Sequence, residues 1–227
     1  MTRSKRQIRA EFEETIAGHN ARKDTPDPNR TVESIRSILL ARSPRRIDSS
    51  RNSLNHAGVL LPLLKRGGNM VVLFTRRTNS VEHHKGQISF PGGAADKDDR
   101  SFQETALRET REEIGVSREF IDILGPVDDA QTLVSSFLIH PYVGYVRSGY
   151  TFSVNPAEVE RILEVPLSVF HPRYAKVNNY AFEHEGKPFQ APGYEYQGNV
   201  IWGATARIMD NFMSILGDKI PLPLPPK

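Results

Sequence analysis

The chain has no cysteine in its 227 residues. Disulfides, thiolate metal sites and cysteine nucleophiles are therefore excluded. A reducing compartment, the cytoplasm, is the expected setting. There is also no unbroken run of about eighteen apolar residues, the length that spans a bilayer, so no membrane partner is expected. The opening stretch MTRSKRQIRAEFEET has no apolar segment and is not read as a secretory signal. Its acidic residues argue against an organelle transit peptide. No internal repeat is present, and no serine has the context of a nucleophile elbow.

Charge of one sign is missing in bulk as well. The net charge is +3, but it is unevenly placed. Residues 1–51 hold 12 Lys+Arg against 7 Asp+Glu, and the remainder holds 18 against 20. A basic arm can contact nucleic acid. Here the basic residues alternate with Glu11, Glu13, Glu14 and Asp24, which reads as a solvated extension. Nucleic acid is not expected as a partner. Salt-dependent RNA binding that required residues 1–51 would support that alternative.

What is present is the balance of a soluble globular enzyme, with 38% hydrophobic and 25% charged residues. Helices are expected at 6–17 and, from apolar Val32, Ile35, Ile38 and Leu39, at 32–42. The stretch Thr25-Pro-Asp-Pro-Asn29 separates them. Strands are expected at 56–64 and 70–75, joined by a Gly67-Gly68 turn, then at 87–90, 121–127 and 137–146. Pro156–Leu163 is expected to start a short helix. A strand pair is expected over 181–189 around Glu185-Gly186, and a closing helix over 202–216. IPLPLPPK at the end should be extended.

One stretch carries the chemistry. Gly92 to Val116 reads GGAADKDDRSFQETALRETREEIGV. Ser101 and Glu104 have the spacing of a capping box and mark a helix start. Gly115 stands where that helix would stop. Glu109, Glu112 and Glu113 share i, i+3, i+4 spacing, so they fall within an arc of about 100°. Leu107 and Ile114 lie roughly opposite and can face a core. An acidic run on a helix is ordinarily a solvated face. Three carboxylates this close repel one another, however, and a hard divalent cation with oxygen ligands relieves that.

The Phe-Pro-Gly-Gly turn, the Arg108-Glu109 pair, the paired glutamates and the closing glycine together resemble the Nudix box. Many positions are fixed in order over about two dozen residues. Asp99 stands near the usual first glutamate, with one extra residue after it, and Thr110 takes an aliphatic position. The longer spacing is a feature of the coenzyme A pyrophosphatase-like branch. Upstream, Leu73–Gly93 resembles the signature of that branch, matching at Leu73, Thr75, Arg77, Gly86, Phe90, Pro91, Gly92 and Gly93. Phe74, Thr78 and Glu82 depart from it, the last by charge reversal. Leu124–Asp129, Asn155-Pro-x-Glu158-Val159, Val165–Leu167 and Ile201–Ala206 also resemble it.

The resemblance implies an α/β Nudix fold: a mixed β-sheet sandwiched between α-helices (α/β/α). It covers residues 54–216, after a helical, basic extension (1–53) and before a proline-rich tail (217–227). It implies Mg²⁺ or Mn²⁺ held by Glu109, Glu112, Glu113 and the Gly92 carbonyl, with Arg108 orienting the carboxylates. Either a clustered glutamate or Glu158 would deprotonate the water; both stay open. Arg77, Lys85, Gly86 and Phe90 would bind substrate. The implied reaction is hydrolysis of the diphosphate in a nucleoside diphosphate derivative. Coenzyme A or acyl-coenzyme A comes first, then ADP-ribose or a nucleotide sugar. A catalytically silent nucleotide-binding module is the reading from another class. A homodimer is compatible with all of these. His83 and His84 are adjacent in an extended segment, point to opposite faces, and are read as surface residues rather than joint ligands.

Overall fold

The computed structural model describes residues 28–49, 54–78, 86–132, 136–173, 175, 177–184 and 186–224. The expected helix at 6–17 lies outside these, as do Glu82, His83, His84 and Lys85.

The chain folds around one long strand, β1 (Asn55–Arg66). It forms a hairpin with β2 (Asn69–Arg77) through Gly67-Gly68, with Arg66 opposite Asn69. It also runs parallel to β7 (Phe137–Val146), from Asn55 opposite Phe137 to Leu63 opposite Tyr145. All other pairings are antiparallel. β3 (Ile88–Ser89) and β8 (Val159–Pro166) pair with β2, and β4 (Gly92–Ala94) pairs with β1. β5 (Ile121–Pro126) and β6 (Ala130–Gln131) pair with β7. These eight strands form the mixed sheet. β9 (Val177–His184), β10 (Lys187–Tyr196) and β11 (Asn199–Trp202) form a separate antiparallel sheet.

Side chains alternate across a strand, so the sequence of β1 and β2 fills both faces at once. Leu60, Leu64, Val71 and Leu73 meet Ala106, Leu107 and Ile114 of helix α2 (Phe102–Ile114). Leu61, Leu63, Val72 and Phe74 meet the other face. There lie Val32, Ile35 and Leu39 of α1 (Pro28–Leu40) and Met209, Phe212 and Leu216 of α3 (Gly203–Leu216). This is the expected α/β/α sandwich. Leu60 and Leu61 are fully buried on opposite faces, and truncating either to Ala would cost about 2–5 kcal/mol. Gly58 sets the distance of α2 from the sheet. A β-carbon there would lie 2.2 Å from the Phe102 carbonyl oxygen and 2.9 Å from the Ala106 amide nitrogen. No helix among the described residues is long and apolar enough to cross a membrane.

Two expectations change. Pro156–Leu163 does not start a helix. Val159 N donates to Asn155 O, which closes one turn, and the chain then extends into β8. Val159, Leu163 and Val165 alternate into the core, and β2 offers an open edge, so sheet pairing wins over helix. Residues 28–49 are not simply solvated either. Ile35 and Leu39 are buried in the main core. The segment after α1 is clasped by two aspartates. Asp128 accepts from Arg42, from the Arg45 amide at 2.9 Å and from Asn211 at 3.1 Å. Asp129 accepts from Arg46 at 2.5 Å and the Ile47 amide at 3.1 Å, and lies 2.9 Å from His140 Nδ1. His140 Nε2 lies 2.9 Å from His56 Nδ1, and the Phe102 ring stacks on His140 at 3.9 Å.

Candidate active site

The site begins where β1 meets β4. Val59 pairs with Gly92, Gly58 with Gly93 and Ala57 with Ala94, which carries the Gly92-Gly93 turn onto the central strand. A tight acidic loop follows. Asp96 N donates to Asp99 Oδ2 at 2.9 Å, and Asp98 N to Asp96 Oδ1 at 3.1 Å. Ser101 then caps α2, its hydroxyl accepting from Glu104 N at 3.2 Å. Glu104 returns its carboxylate to the Arg100 amide rather than to the cap residue's own, so the expected box closes one residue early. The helix ends at Gly115, in the left-handed conformation at φ 79.

Arg108 organises this surface. Its Nε and Nη2 grip the two oxygens of Asp99 at 3.1 and 3.0 Å, a two-pronged contact that fixes both orientation and distance. Its Nη1 donates to Glu109 at 2.8 Å and Glu112 at 3.1 Å, and its Nη2 to the Ala94 carbonyl at 3.1 Å. Asp99 also accepts from Thr105 at 2.9 Å. The Arg108 bond holds Asp99 well down, at about 2, against the opposing effect of burial. The same bond to Asp99 raises Arg108 further above its ordinary value.

The three glutamates of the arc have unequal surroundings. Glu112 is exposed and paired with Arg108. Glu109 is partly covered and lies over the turn; a β-carbon on Gly93 would sit 2.6 Å from its carboxylate and would push that carboxylate aside. Burial raises Glu109, Arg108 opposes that, and the charges of Glu112 and Glu158 add to it. Glu113 is 2% exposed. Burial pushes it up to about 8; Arg77 and the Gly92 amide pull down, while Glu109 and Glu158 push further up. Its Oε2 is buried and accepts no hydrogen bond among the described residues.

These carboxylates are gathered, but among the described residues no three Asp, Glu or His groups are closed up as a cation cage. The chemistry nonetheless fits a hard divalent ion. The donors are all oxygens, and Glu113 offers a buried oxygen whose negative charge the chain does not fully balance. A cation there would displace the proton that burial favours.

A second strand of the chain reaches the same place. The loop after β7 is bonded to the last carbonyls of α2. Tyr150 OH donates to Gly115 O, Ser153 N to Ile114 O at 3.0 Å, and Asn155 N to Glu113 O at 2.9 Å. The loop delivers Glu158 close enough to perturb both Glu109 and Glu113.

This is the arrangement, and the comparison with known proteins settles its family. The model of the NUDIX domain matches residues 54–183, more than half of the chain. The chain belongs to the Nudix hydrolases. An uncharacterised Nudix hydrolase NudL from Photorhabdus laumondii is 35% identical over 175 residues, 76% of this chain and 89% of that protein. Its namesake from Pectobacterium atrosepticum is 36% identical over 165 residues, 72% and 83% of the two chains. A MutT/nudix family protein from Enterococcus faecalis shares the fold, with a TM-score of 0.51 at 11% identity over 96% of this chain and 76% of that one. Nudix hydrolases generally use divalent metal ions.

The structure brings Arg77, Arg108, Glu109, Glu112, Glu113, Glu158 and Gly92 to one surface. Arg77 ends β2 on the α2 side, facing Glu113. Gly86 turns the chain into β3 at φ 66. Lys85 lies outside the described residues. Phe90 is 3% exposed and stacks on Phe74 at 4.9 Å, on the face away from α2, so its ring packs the core. Asp99, Asn155 and Thr78 were not picked out as site residues. Thr78 bonds the Glu158 carbonyl through its amide at 3.0 Å and the Ala157 carbonyl through its hydroxyl at 3.2 Å. Asp99 stood within the box and was legible there; the other two gain meaning only from the loop's position.

Proposed function

We propose that this Nudix hydrolase cleaves the diphosphate of coenzyme A or its thioesters, giving 3′,5′-ADP and the (acyl-)4′-phosphopantetheine. The hydrolysis of a nucleoside diphosphate derivative rests chiefly on Glu113, a buried carboxylate left short of positive charge beside Glu109 and Glu158. The coenzyme A part rests on the Leu73–Gly93 pattern.

Glu109, Glu112 and Glu113, with the Gly92 carbonyl, would hold Mg²⁺ or Mn²⁺. Such an ion, when bound, screens the diphosphate and makes water a better nucleophile. Arg108, held by Asp99, keeps Glu109 and Glu112 in register. Arg77 faces the same surface and would steady a phosphate oxygen. Glu158 belongs to a separate loop and, unlike Asp99, Glu109 and Glu112, forms no ion pair with Arg108 among the described residues, which leaves it available to take the proton. The water oxygen bonds to one phosphorus, the bridging P–O bond breaks, Glu158 accepts the proton, and the other phosphate leaves as its anion.

The reading is tested with a panel of coenzyme A, acyl-coenzyme A, ADP-ribose, NADH and dinucleoside polyphosphates, with Mg²⁺ or Mn²⁺ and products separated by chromatography. Coenzyme A cut at its diphosphate, with all turnover lost in EDTA, is expected. Turnover of none of them would overturn the assignment. Glu82 favours ADP-ribose as the second reading. It stands where the coenzyme A signature has Arg, and a carboxylate repels the 3′-phosphate that ADP-ribose lacks. Glu82→Arg should raise kcat/KM for coenzyme A more than for ADP-ribose.

A further inference from the structure

Asn155 is the residue through which the Glu158 loop meets both α2 and the Glu158 carboxylate. Asn155 uses every polar group it has. Its amide N–H donates to Glu113 O at 2.9 Å, satisfying one of the carbonyls that the end of a helix leaves unpaired. Its own carbonyl accepts from Glu158 N at 3.2 Å and Val159 N at 2.9 Å. Its Oδ1 accepts from Ala157 N at 3.1 Å. That bond fixes which end of the side-chain amide is oxygen, so Nδ2 must point the other way. It points to Glu158 Oε1, at 3.4 Å. From the opposite side Thr78, next to Arg77, holds the carbonyls of Ala157 and Glu158.

We infer that Asn155 is the positioning residue for Glu158: it locks the loop to the backbone of Glu113 and aims the Glu158 carboxylate at the water. The inference rests on the reading that Glu158 takes the water's proton. The backbone of Asn155 bonds the very residue whose side chain stands at the centre of the carboxylate cluster. The helix that carries the glutamates and the proton acceptor therefore share one hydrogen-bonded joint. The 3.4 Å contact is long, as hydrogen bonds of catalytic groups often are before substrate tightens them. Asn is suited to the task and Asp is not. Both can cap the turn through Oδ1, but only Asn can donate to a carboxylate.

The test is a double-mutant cycle on whichever of coenzyme A or ADP-ribose is cleaved, with Mn²⁺. Asn155→Ala and Asn155→Asp should each lower kcat about tenfold or more, a fraction of the 10²–10⁴ that a general base supplies, with KM within about twofold. Asn155→Asp keeps the turn, so it reads the contact apart from the fold. In a Glu158→Gln background neither change should lower kcat further. Mn²⁺ affinity, read by electron paramagnetic resonance without substrate, should stay within about twofold in all variants. Equal kcat losses with and without Glu158 would overturn the positioning role, as would a tenfold loss of Mn²⁺ affinity in Asn155→Asp. Glu158→Gln with unchanged kcat would instead overturn the proton-acceptor reading itself, and the two failures are told apart by that single mutant.

Discussion

Two groups of carboxylates stand out in this fold, and their surroundings shift them in opposite directions. Asp129 is buried and Asp128 partly so, yet both are held below their usual values. Burial pushes them up, but for Asp128 the Arg45 amide, Arg42 and Asn211 outweigh it. For Asp129 His140, Arg46 and the Ile47 amide do the same. Glu109 and Glu113 are set deeper and end up raised, because burial, with help from neighbouring carboxylates, outweighs Arg108 and Arg77. Each aspartate has its own cations and amides; the glutamates share too few. The first group closes the fold around the segment after α1. The second holds an unbalanced charge at a surface where α2, β4 and the Glu158 loop converge. Such an imbalance persists where function maintains it.

The largest expected effect breaks the balanced group. Asp129→Ala leaves His140 and Arg46 without their acceptor and should destabilise the protein by about 3 kcal/mol or more, as broken buried pairs do. Chemical denaturation measures this. A loss under about 1 kcal/mol would mean that Asp129 is no keystone. Next comes the unbalanced group. Glu112→Gln and Glu113→Gln should each lower turnover about a hundredfold, roughly 2.7 kcal/mol in the barrier. Stability should not fall in Glu113→Gln, since burial already favours the neutral carboxyl there and the amide is neutral and of similar size. If Glu113→Gln unfolds the protein as Asp129→Ala does, the contrast between the groups disappears.

The smallest effect lies between them, at Asp99, a balanced carboxylate inside the unbalanced site. Its folded value, about 2, is depressed from 3.8. Its stabilisation is therefore complete above about pH 4 and lost as the pH falls toward 2. Melting temperatures over that window should fall less steeply in Asp99→Asn than in the unmodified protein. Parallel curves would show that the Arg108 contact contributes no net stability.

Much of the site was legible because its signals are local. Ser101, Glu104 and Gly115 bracket α2, and helical spacing gathers Glu109, Glu112 and Glu113. Spacing alone could not say that Glu113 faces the sheet while Glu112 faces solvent. That depends on how closely α2 approaches β1, which Gly58 decides. The Arg46–Asp129–His140–His56 chain was not legible, because it joins residues more than eighty positions apart as well as near neighbours. The burial of Phe90 was hidden for a related reason. Its place in the motif says that an aromatic stands there, not that Phe74 receives it. β8 was read as a helix start because Pro156 and one genuine turn precede it, and only the free edge of β2 reveals the strand.

The central claim is that the glutamates of α2 lack a cation that the aspartates beside β7 already have. The direct measurement is thermal unfolding with Mg²⁺ or Mn²⁺, without substrate, in the unmodified protein and in Glu113→Gln. The ion should raise the melting temperature of the unmodified protein, by a stabilisation of about 2.7 kcal/mol at a hundred times its dissociation constant. The shift should grow between about pH 6 and about pH 8 as the Glu113 proton competes less, and Glu113→Gln should lose most of it. No shift with either ion, or equal shifts in both proteins at every pH, would contradict the account.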